Sequence, residues 1–105
     1  MAEATADVYS AGSTGCWVEL FGPARLAAGV RDVILPLQTV TRVAALVEAL
    51  AHACPSLAEG VLDVTTGKAG DGYILNRNGR EFLSRPEMEV APGDHVLVMS
   101  SAVGG

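Results

Sequence analysis

His95-Val96-Leu97-Val98-Met99-Ser100-Ser101-Ala102-Val103-Gly104-Gly105 is the stretch on which the fold turns. Its first half is an apolar run with a two-residue period, Val96 and Val98 on one face and Leu97 and Met99 on the other. A strand that is apolar on both faces belongs inside a sheet, with neighbours on each side. Its second half is short, has small side chains and ends in a glycine pair. Lacking a Cβ, such a pair can lie extended in a narrow channel and bring a main-chain carboxylate close to another molecule. With 12 glycines in 105 residues, adjacent glycines at a given place arise by chance about once in eighty. The pair therefore carries weight only if the residues before it fold into a body that presents it.

Working back from this strand, Ala91-Pro92-Gly93-Asp94 is the turn that leads into it. Gly72-Tyr73-Ile74-Leu75-Asn76 reads as a strand, Asn78-Gly79 as a tight hairpin turn and Glu81-Phe82-Leu83 as a short return strand. Ala58 to Gly72 is a loop rich in Gly, Thr and Asp, with a helical turn expected around Val61-Leu62. Before it lies the clearest helix. Thr41 can cap it, Val43, Leu46, Val47 and Leu50 recur at helical spacing, and Pro55 ends it. That stripe is read as core rather than as a binding surface.

At the other end, Cys16-Trp17-Val18-Glu19-Leu20-Phe21 is a first strand with Val18 and Leu20 on one face; the burial of Trp17 is left open. Gly22-Pro23 breaks it, and Ala24 to Gly29 is a loop or a short helical turn. Asp32 to Leu37 is a second strand, paired with the first as a hairpin. Its Pro36 has no N–H to donate, so it belongs at a sheet edge. Residues 1–15, mostly Ala, Ser, Thr and Gly, are expected to be a flexible extension. The folded domain is expected over 16–101, with a flexible tail over 102–105.

The element order is ββαβββ. A hairpin, one crossover helix and further strands build an α+β domain, a mixed sheet of four to five strands with one main helix packed on one face. The first and last strands run parallel at its centre. This is the ubiquitin-like β-grasp arrangement.

Composition bounds what such a domain can do. A chain of 105 residues fits one domain and can bury roughly 65% of its unfolded surface, enough for a core without metal or disulfide support. Half the residues are hydrophobic, no apolar run reaches spanning length, and no basic-plus-apolar leader opens the chain. A cytoplasmic location is therefore expected, with no membrane role. The net charge of −5, from 7 basic and 12 acidic residues, argues against nucleic acid and suits a partner with a basic docking face. Glu87, Glu89 and Asp94 lie in the last 20 residues, which hold no Lys or Arg. Such a run is ordinarily a solvated surface.

Other candidate sites are weak. Cys16 and Cys54 do not make a disulfide framework. His52 and Cys54 lack a second ligand pair for a metal, and two residues apart on a helix they point to different faces, which disfavours a catalytic pair. Gly67-Lys68-Ala69-Gly70-Asp71-Gly72 is glycine-rich but lacks the spacing and following helix of a phosphate loop. No bound cofactor and no metal is expected.

From residue 16 onward the chain resembles the MoaD/ThiS family of ubiquitin-like sulfur carriers. The resemblance rests on Leu20-Phe21-Gly22-Pro23-Ala24-Arg25 with Ala28-Gly29, on Val43 to Leu50, and on Pro55-Ser56-Leu57. It continues through Asn76-Arg77-Asn78-Gly79 and Pro92-Gly93-Asp94 to Gly104-Gly105. Two departures bear on the pathway: Ser100-Ser101 stands where molybdopterin members commonly have Pro-Pro, and Met99 where they often have an aromatic residue.

The resemblance implies a cycle. An E1-like adenylating partner uses ATP to convert the Gly105 carboxylate to an acyl adenylate. A sulfur donor, a sulfurtransferase or sulfide, displaces AMP to leave a thiocarboxylate. An acceptor enzyme such as a molybdopterin synthase large subunit then receives the sulfur. In this cycle the chain is a protein co-substrate or small subunit rather than a catalyst by itself. Gly105 carries sulfur, Gly104 gives a slim approach, and Ala102 and Val103 are small enough to follow into a channel. Met99, Leu97 and Phe82 are candidates for an apolar docking patch. Cysteine, thiamine, tRNA or natural-product thiolation stay open as destinations, as does conjugation to lysines of target proteins. A β-grasp binding module with an incidental glycine pair is the remaining alternative.

Overall fold

The structure, a computed structural model, describes residues 15–101; residues 1–14 of the expected 1–15 extension and the tail residues Ala102, Val103, Gly104 and Gly105 lie outside the described residues. Strand β1 (Gly15–Leu20) opens it, one residue earlier than the sequence suggests. Gly15 pairs with Pro36, and a Cβ there would lie 2.9 Å from Ile34 Cγ2, so the close strand contact needs a glycine. Helix α1 (Pro23–Ala28) follows at the position expected to be a loop or helical turn. Proline at its start needs no donor there, and Gly29 closes it at φ 76.

The chain returns in β2 (Asp32–Pro36), antiparallel to β1 as the hairpin reading requires. Helix α2 spans Val43–Ala53, and β6 (Tyr73–Arg77), β7 (Glu81–Phe82) and β9 (His95–Ser100) complete the main sheet. Its order is β2-β1-β9-β6-β7. Strand β9 runs parallel to β1 and antiparallel to β6, so the last strand is the central one. Pro36 lies on the edge strand, where its missing donor breaks no ladder bond. The fold is the α+β ubiquitin-like β-grasp anticipated above, a mixed five-stranded sheet with one main helix.

The core lies between one face of this sheet and α2. Val18, Leu20, Leu35, Leu75, Val96 and Val98 come from the strands, and Val43, Leu46, Val47 and Leu50 from the helix stripe; all are buried. Each such side chain contributes about 1.5–3 kcal/mol when fully buried, which is what keeps a short helix in place. Pro55 ends α2 as expected: the Cys54 N–H bonds the Leu50 carbonyl at 2.8 Å, and a 3-10 turn over Pro55–Ala58 buries Leu57.

Three local readings differ from the structure. Thr41 does not cap α2. With Arg42 it forms strand β3 (Thr41–Arg42), paired with β8 (Glu89–Val90), and Arg42 takes the cap position with no side-chain bond. The first amides of the helix are bonded from elsewhere: Val43 N–H donates to the Met88 carbonyl at 2.8 Å, and Ala44 N–H to the Pro86 carbonyl at 3.0 Å. A distant loop thus does the work of a cap, which no local pattern signals.

The helical turn expected at Val61-Leu62 falls earlier, at Pro55–Ala58. Leu62 instead opens β4 (Leu62–Asp63), which pairs with β5 (Lys68–Ala69). Asp63 Oδ1 accepts the Thr65 and Thr66 amides at 3.0 and 3.2 Å and closes that small hairpin, with Gly67 at φ 73. The return strand stops at Phe82 rather than Leu83, because Leu83 turns into the core while its N–H still bonds the Leu75 carbonyl. The Asn78-Gly79 turn has both residues at positive φ, 58 and 72, as a tight hairpin demands.

Candidate functional site

Alternation along β9 sends Val96 and Val98 into the core and leaves His95, Leu97 and Met99 on the sheet face opposite α2. The registers decide what stands beside them. Leu97 is level with Glu19 of β1 and with Asn76 of β6, and Met99 with Ile74. Phe82 of β7 is level with Asn76. The three docking candidates Leu97, Met99 and Phe82 therefore share one face, joined by Ile74. Leu97 and Met99 are half-buried, and Phe82 is 60% exposed.

The other half of this face is polar and aromatic. Trp17 stacks on His95 with ring centroids 3.9 Å apart and planes 7° from parallel. Trp17 Nε1 donates to Asp32 Oδ2 at 3.1 Å, and His95 Nε2 lies 2.9 Å from Glu19 Oε1. Trp17, whose burial the sequence leaves open, is thus half-buried and held flat on the sheet. Its amphipathic ring covers the β1 end of the face while its N–H stays bonded.

The chain leaves β9 at the apolar end. Tyr73 is level with Ser100, and the Ser101 N–H donates to the Gly72 carbonyl at 2.8 Å. Ser101, the last described residue, is therefore held beside β6 at this end of the face. The four tail candidates themselves lie outside the described residues.

Burial, reinforced by the Asp94 carboxylate, pushes the Cys16 thiol up to about 12, so it is no nucleophile at neutral pH. His52 is exposed and Cys54 half-buried at the end of α2, and among the described residues no group of three His, Cys, Asp or Glu is placed to hold a metal. The segment from Gly67 to Gly72 contains β5 and a turn with no helix after it, unlike a phosphate loop. Among the described residues, no helix is long and apolar enough to cross a membrane.

Sequence reasoning missed Ile74, Asn76 and the Trp17–His95 stack as parts of this face. Alternation within β6 pairs Ile74 with Asn76, but only the register shows that they flank Leu97 and Met99.

The chain is similar to solved structures of small proteins over nearly its whole described length. Small archaeal modifier protein 1 from Haloferax volcanii aligns with a TM-score of 0.71 and 26% identity, covering 87% of this chain and 99% of that one. A Pyrococcus furiosus protein assigned as molybdopterin converting factor, subunit 1, aligns with a TM-score of 0.63 and 26% identity, covering 83% and 97%. Urm1 from Trypanosoma brucei, at 19% identity, shares the fold with a TM-score of 0.68, covering 88% and 96%. No family model and no curated protein sequence matches the chain. With the parallel β1–β9 pair at the sheet centre and one crossover helix, the chain has the ubiquitin-like β-grasp fold, and the solved structures it is similar to are of the MoaD/ThiS type.

Proposed function

We propose that the chain is a sulfur carrier whose Gly105 carboxylate is activated by an E1-like adenylating enzyme and converted to a thiocarboxylate. One observation carries the reading most: the central strand β9 leads, through Ser101 bonded to Gly72, from an exposed apolar half-face into the segment bearing Gly104-Gly105. A partner seated on Phe82, Leu97 and Met99 lies next to the start of the residues it must act upon.

The chemistry follows from the carboxylate. Its charge repels nucleophiles and its oxygen leaves poorly. Attack of a carboxylate oxygen on the α-phosphorus of ATP expels pyrophosphate and makes an acyl adenylate, in which AMP is a good leaving group. Hydrosulfide adds to the acyl carbon and AMP departs to leave the thiocarboxylate. A persulfide donor adds in the same way to give an acyl disulfide, and a second thiol then cleaves its S–S bond, releasing the thiocarboxylate and leaving a disulfide on the donor. The resulting thiocarboxylate is ionised and polarisable at neutral pH, so it can attack an electrophilic carbon of a precursor held by an acceptor enzyme. ATP serves the activating partner, and this chain binds no cofactor in the cycle. The adenylating enzyme, the sulfur donor and the acceptor are its partners, in keeping with the cytoplasmic location expected from the sequence.

Among destinations we favour molybdopterin synthesis, with the chain as the small subunit of a two-protein synthase; likeness to the Pyrococcus furiosus protein supports this. Likeness to small archaeal modifier protein 1 supports a second role as a modifier joined to target lysines through Gly105. The test is intact mass after incubation with ATP, the E1-like enzyme of the same organism and sulfide. We expect a shift matching one oxygen replaced by sulfur, located at Gly105 and lost when Gly105 is deleted. Absence of the shift, under conditions that thiolate a known carrier, refutes the carrier role. Adducts on other proteins that survive a denaturing gel and require Gly105 establish the modifier role.

A further inference from the structure

The end of the sheet beyond Leu20 and Val98 carries an apolar patch that neither the core nor the open face uses. Leu26 of α1 is 84% exposed, the most exposed large hydrophobic side chain among the described residues. Ala24 is fully buried, and two residues further on a helix the chain has turned by about 200°, so Leu26 points away from the core. Ala27 and Val30, which follow it, are also exposed. A lone exposed leucine is ordinary, but this one is framed by charge. From Phe21 to Arg31 the chain holds two arginines and no Asp or Glu, although acidic residues outnumber basic ones by 12 to 7 overall.

Both arginines are tied to the last residue of β1. Arg25 Nε donates to the Leu20 carbonyl at 3.2 Å, and the Leu20 N–H donates to the Arg31 carbonyl at 2.9 Å. Among the described residues neither arginine is in an ion pair. Leu20 is level with Val98, the Phe21 N–H bonds the Val98 carbonyl at 3.0 Å, and α1 packs against β9. The patch therefore stands at the end of the sheet from which the chain runs on to Gly104-Gly105.

The short reach of that tail says what covers the patch. Four residues follow Ser101, and fully extended they span at most about 14 Å. An enzyme that acts on the Gly105 carboxylate must bring its active site within that reach of Ser101, so the walls of its channel come down on this end of the sheet. We propose that α1 is a docking surface for the E1-like adenylating enzyme, with Leu26 entering an apolar recess beside the tail channel and Arg25 and Arg31 meeting carboxylates on its rim. The contact rests on the carrier reading above. It complements the open face in sign, since that face presents the Glu19 and Asp32 carboxylates. A partner with one basic and one acidic zone is thereby held in a single orientation over the tail.

The test uses Leu26→Ala and Arg31→Glu in the full chain. Thermal unfolding is measured alongside pyrophosphate exchange with Mg-ATP and the E1-like enzyme of the same organism, at varied chain concentration and at low and high NaCl. We expect midpoints within about 4 °C of the parent, because both side chains are exposed. The KM for the chain should rise about fivefold in Leu26→Ala at either salt concentration, with kcat unchanged. In Arg31→Glu it should rise about tenfold at low salt and less at high salt. An unchanged KM for either variant overturns the proposal, as does a change confined to kcat. A clearly lowered midpoint for Leu26→Ala also overturns it, because the side chain would then be holding the fold. Unchanged exchange with impaired sulfur delivery would give the patch to the acceptor enzyme instead. A parent that sediments as a dimer beside a monomeric Leu26→Ala would give it to a second copy. Absence of exchange with the parent chain removes the carrier reading and this contact with it, whereas equal KM for parent and variants removes the contact alone.

Discussion

Replacing Leu75 by alanine and, separately, Phe82 by alanine should split stability from docking, because the two side chains sit on opposite faces of neighbouring strands. Leu75 is 2% exposed and level with Val98 in the core. Truncating it removes its transfer free energy and leaves a cavity, about 2–5 kcal/mol in all. A mid-range loss of about 3 kcal/mol lowers Tm by roughly 12–24 °C in a domain of this size. Phe82 is 60% exposed, which leaves 40% of it buried in the free chain. If full burial of a phenylalanine contributes about 1.5–3 kcal/mol, its truncation removes only about 0.6–1.2 kcal/mol from stability. The exposed share, about 0.9–1.8 kcal/mol, becomes available when a partner covers it and corresponds to roughly 5- to 20-fold in affinity. Unfolding followed by circular dichroism gives the first quantity. The KM of the chain in pyrophosphate exchange, taken below both melting transitions, gives the second. We expect Leu75→Ala to lower Tm by roughly 12–24 °C and leave KM alone, and Phe82→Ala to raise KM roughly 5- to 20-fold while lowering Tm by only about 2–10 °C. An unchanged KM for Phe82→Ala would refute docking through this face. Equal stability losses would refute the assignment of the two faces.

Two further outcomes follow from local geometry. Thr41→Val keeps the β-branched shape that suits β3 and deletes the hydroxyl. Since that hydroxyl does not cap α2, the urea midpoint should correspond to a change within about 0.5 kcal/mol, whereas loss of a true cap would reach about 1 kcal/mol. The Cys16 thiol, raised by burial and then by Asp94 from 9.0 to about 12, keeps its proton in the folded chain over a range where the unfolded chain releases it. Stability should therefore fall as pH rises through that window, and urea midpoints from neutral pH to about pH 11 should decline less steeply in Cys16→Ala. Parallel declines in the two proteins would refute the assignment.

Much of the β-grasp was legible because its signals are local. The Val43, Leu46, Val47 and Leu50 stripe can only be the core side of a helix, and Asn78-Gly79 supports two positive φ angles in a row. Pro36 announces an edge by what it cannot donate. The unreadable parts depend on distant segments. Thr41 has the chemistry of a cap, yet the Pro86 and Met88 carbonyls reach the helix amides first and draw Thr41 into pairing with Val90. Val61-Leu62 looks like a helical turn until the Lys68–Ala69 segment offers ladder bonds.

The candidate site divides in the same way. Sequence alone determined that Leu97 and Met99 point away from Val96 and Val98, because side chains alternate along any strand, and that a glycine pair follows them. Only the tertiary structure decided that Phe82, Ile74 and Asn76 stand beside them and that Trp17 lies flat on His95. The order of strands and the register between them are settled by burial of the opposite face against α2. That packing sums interactions from the whole domain, and no single stretch of the chain encodes it.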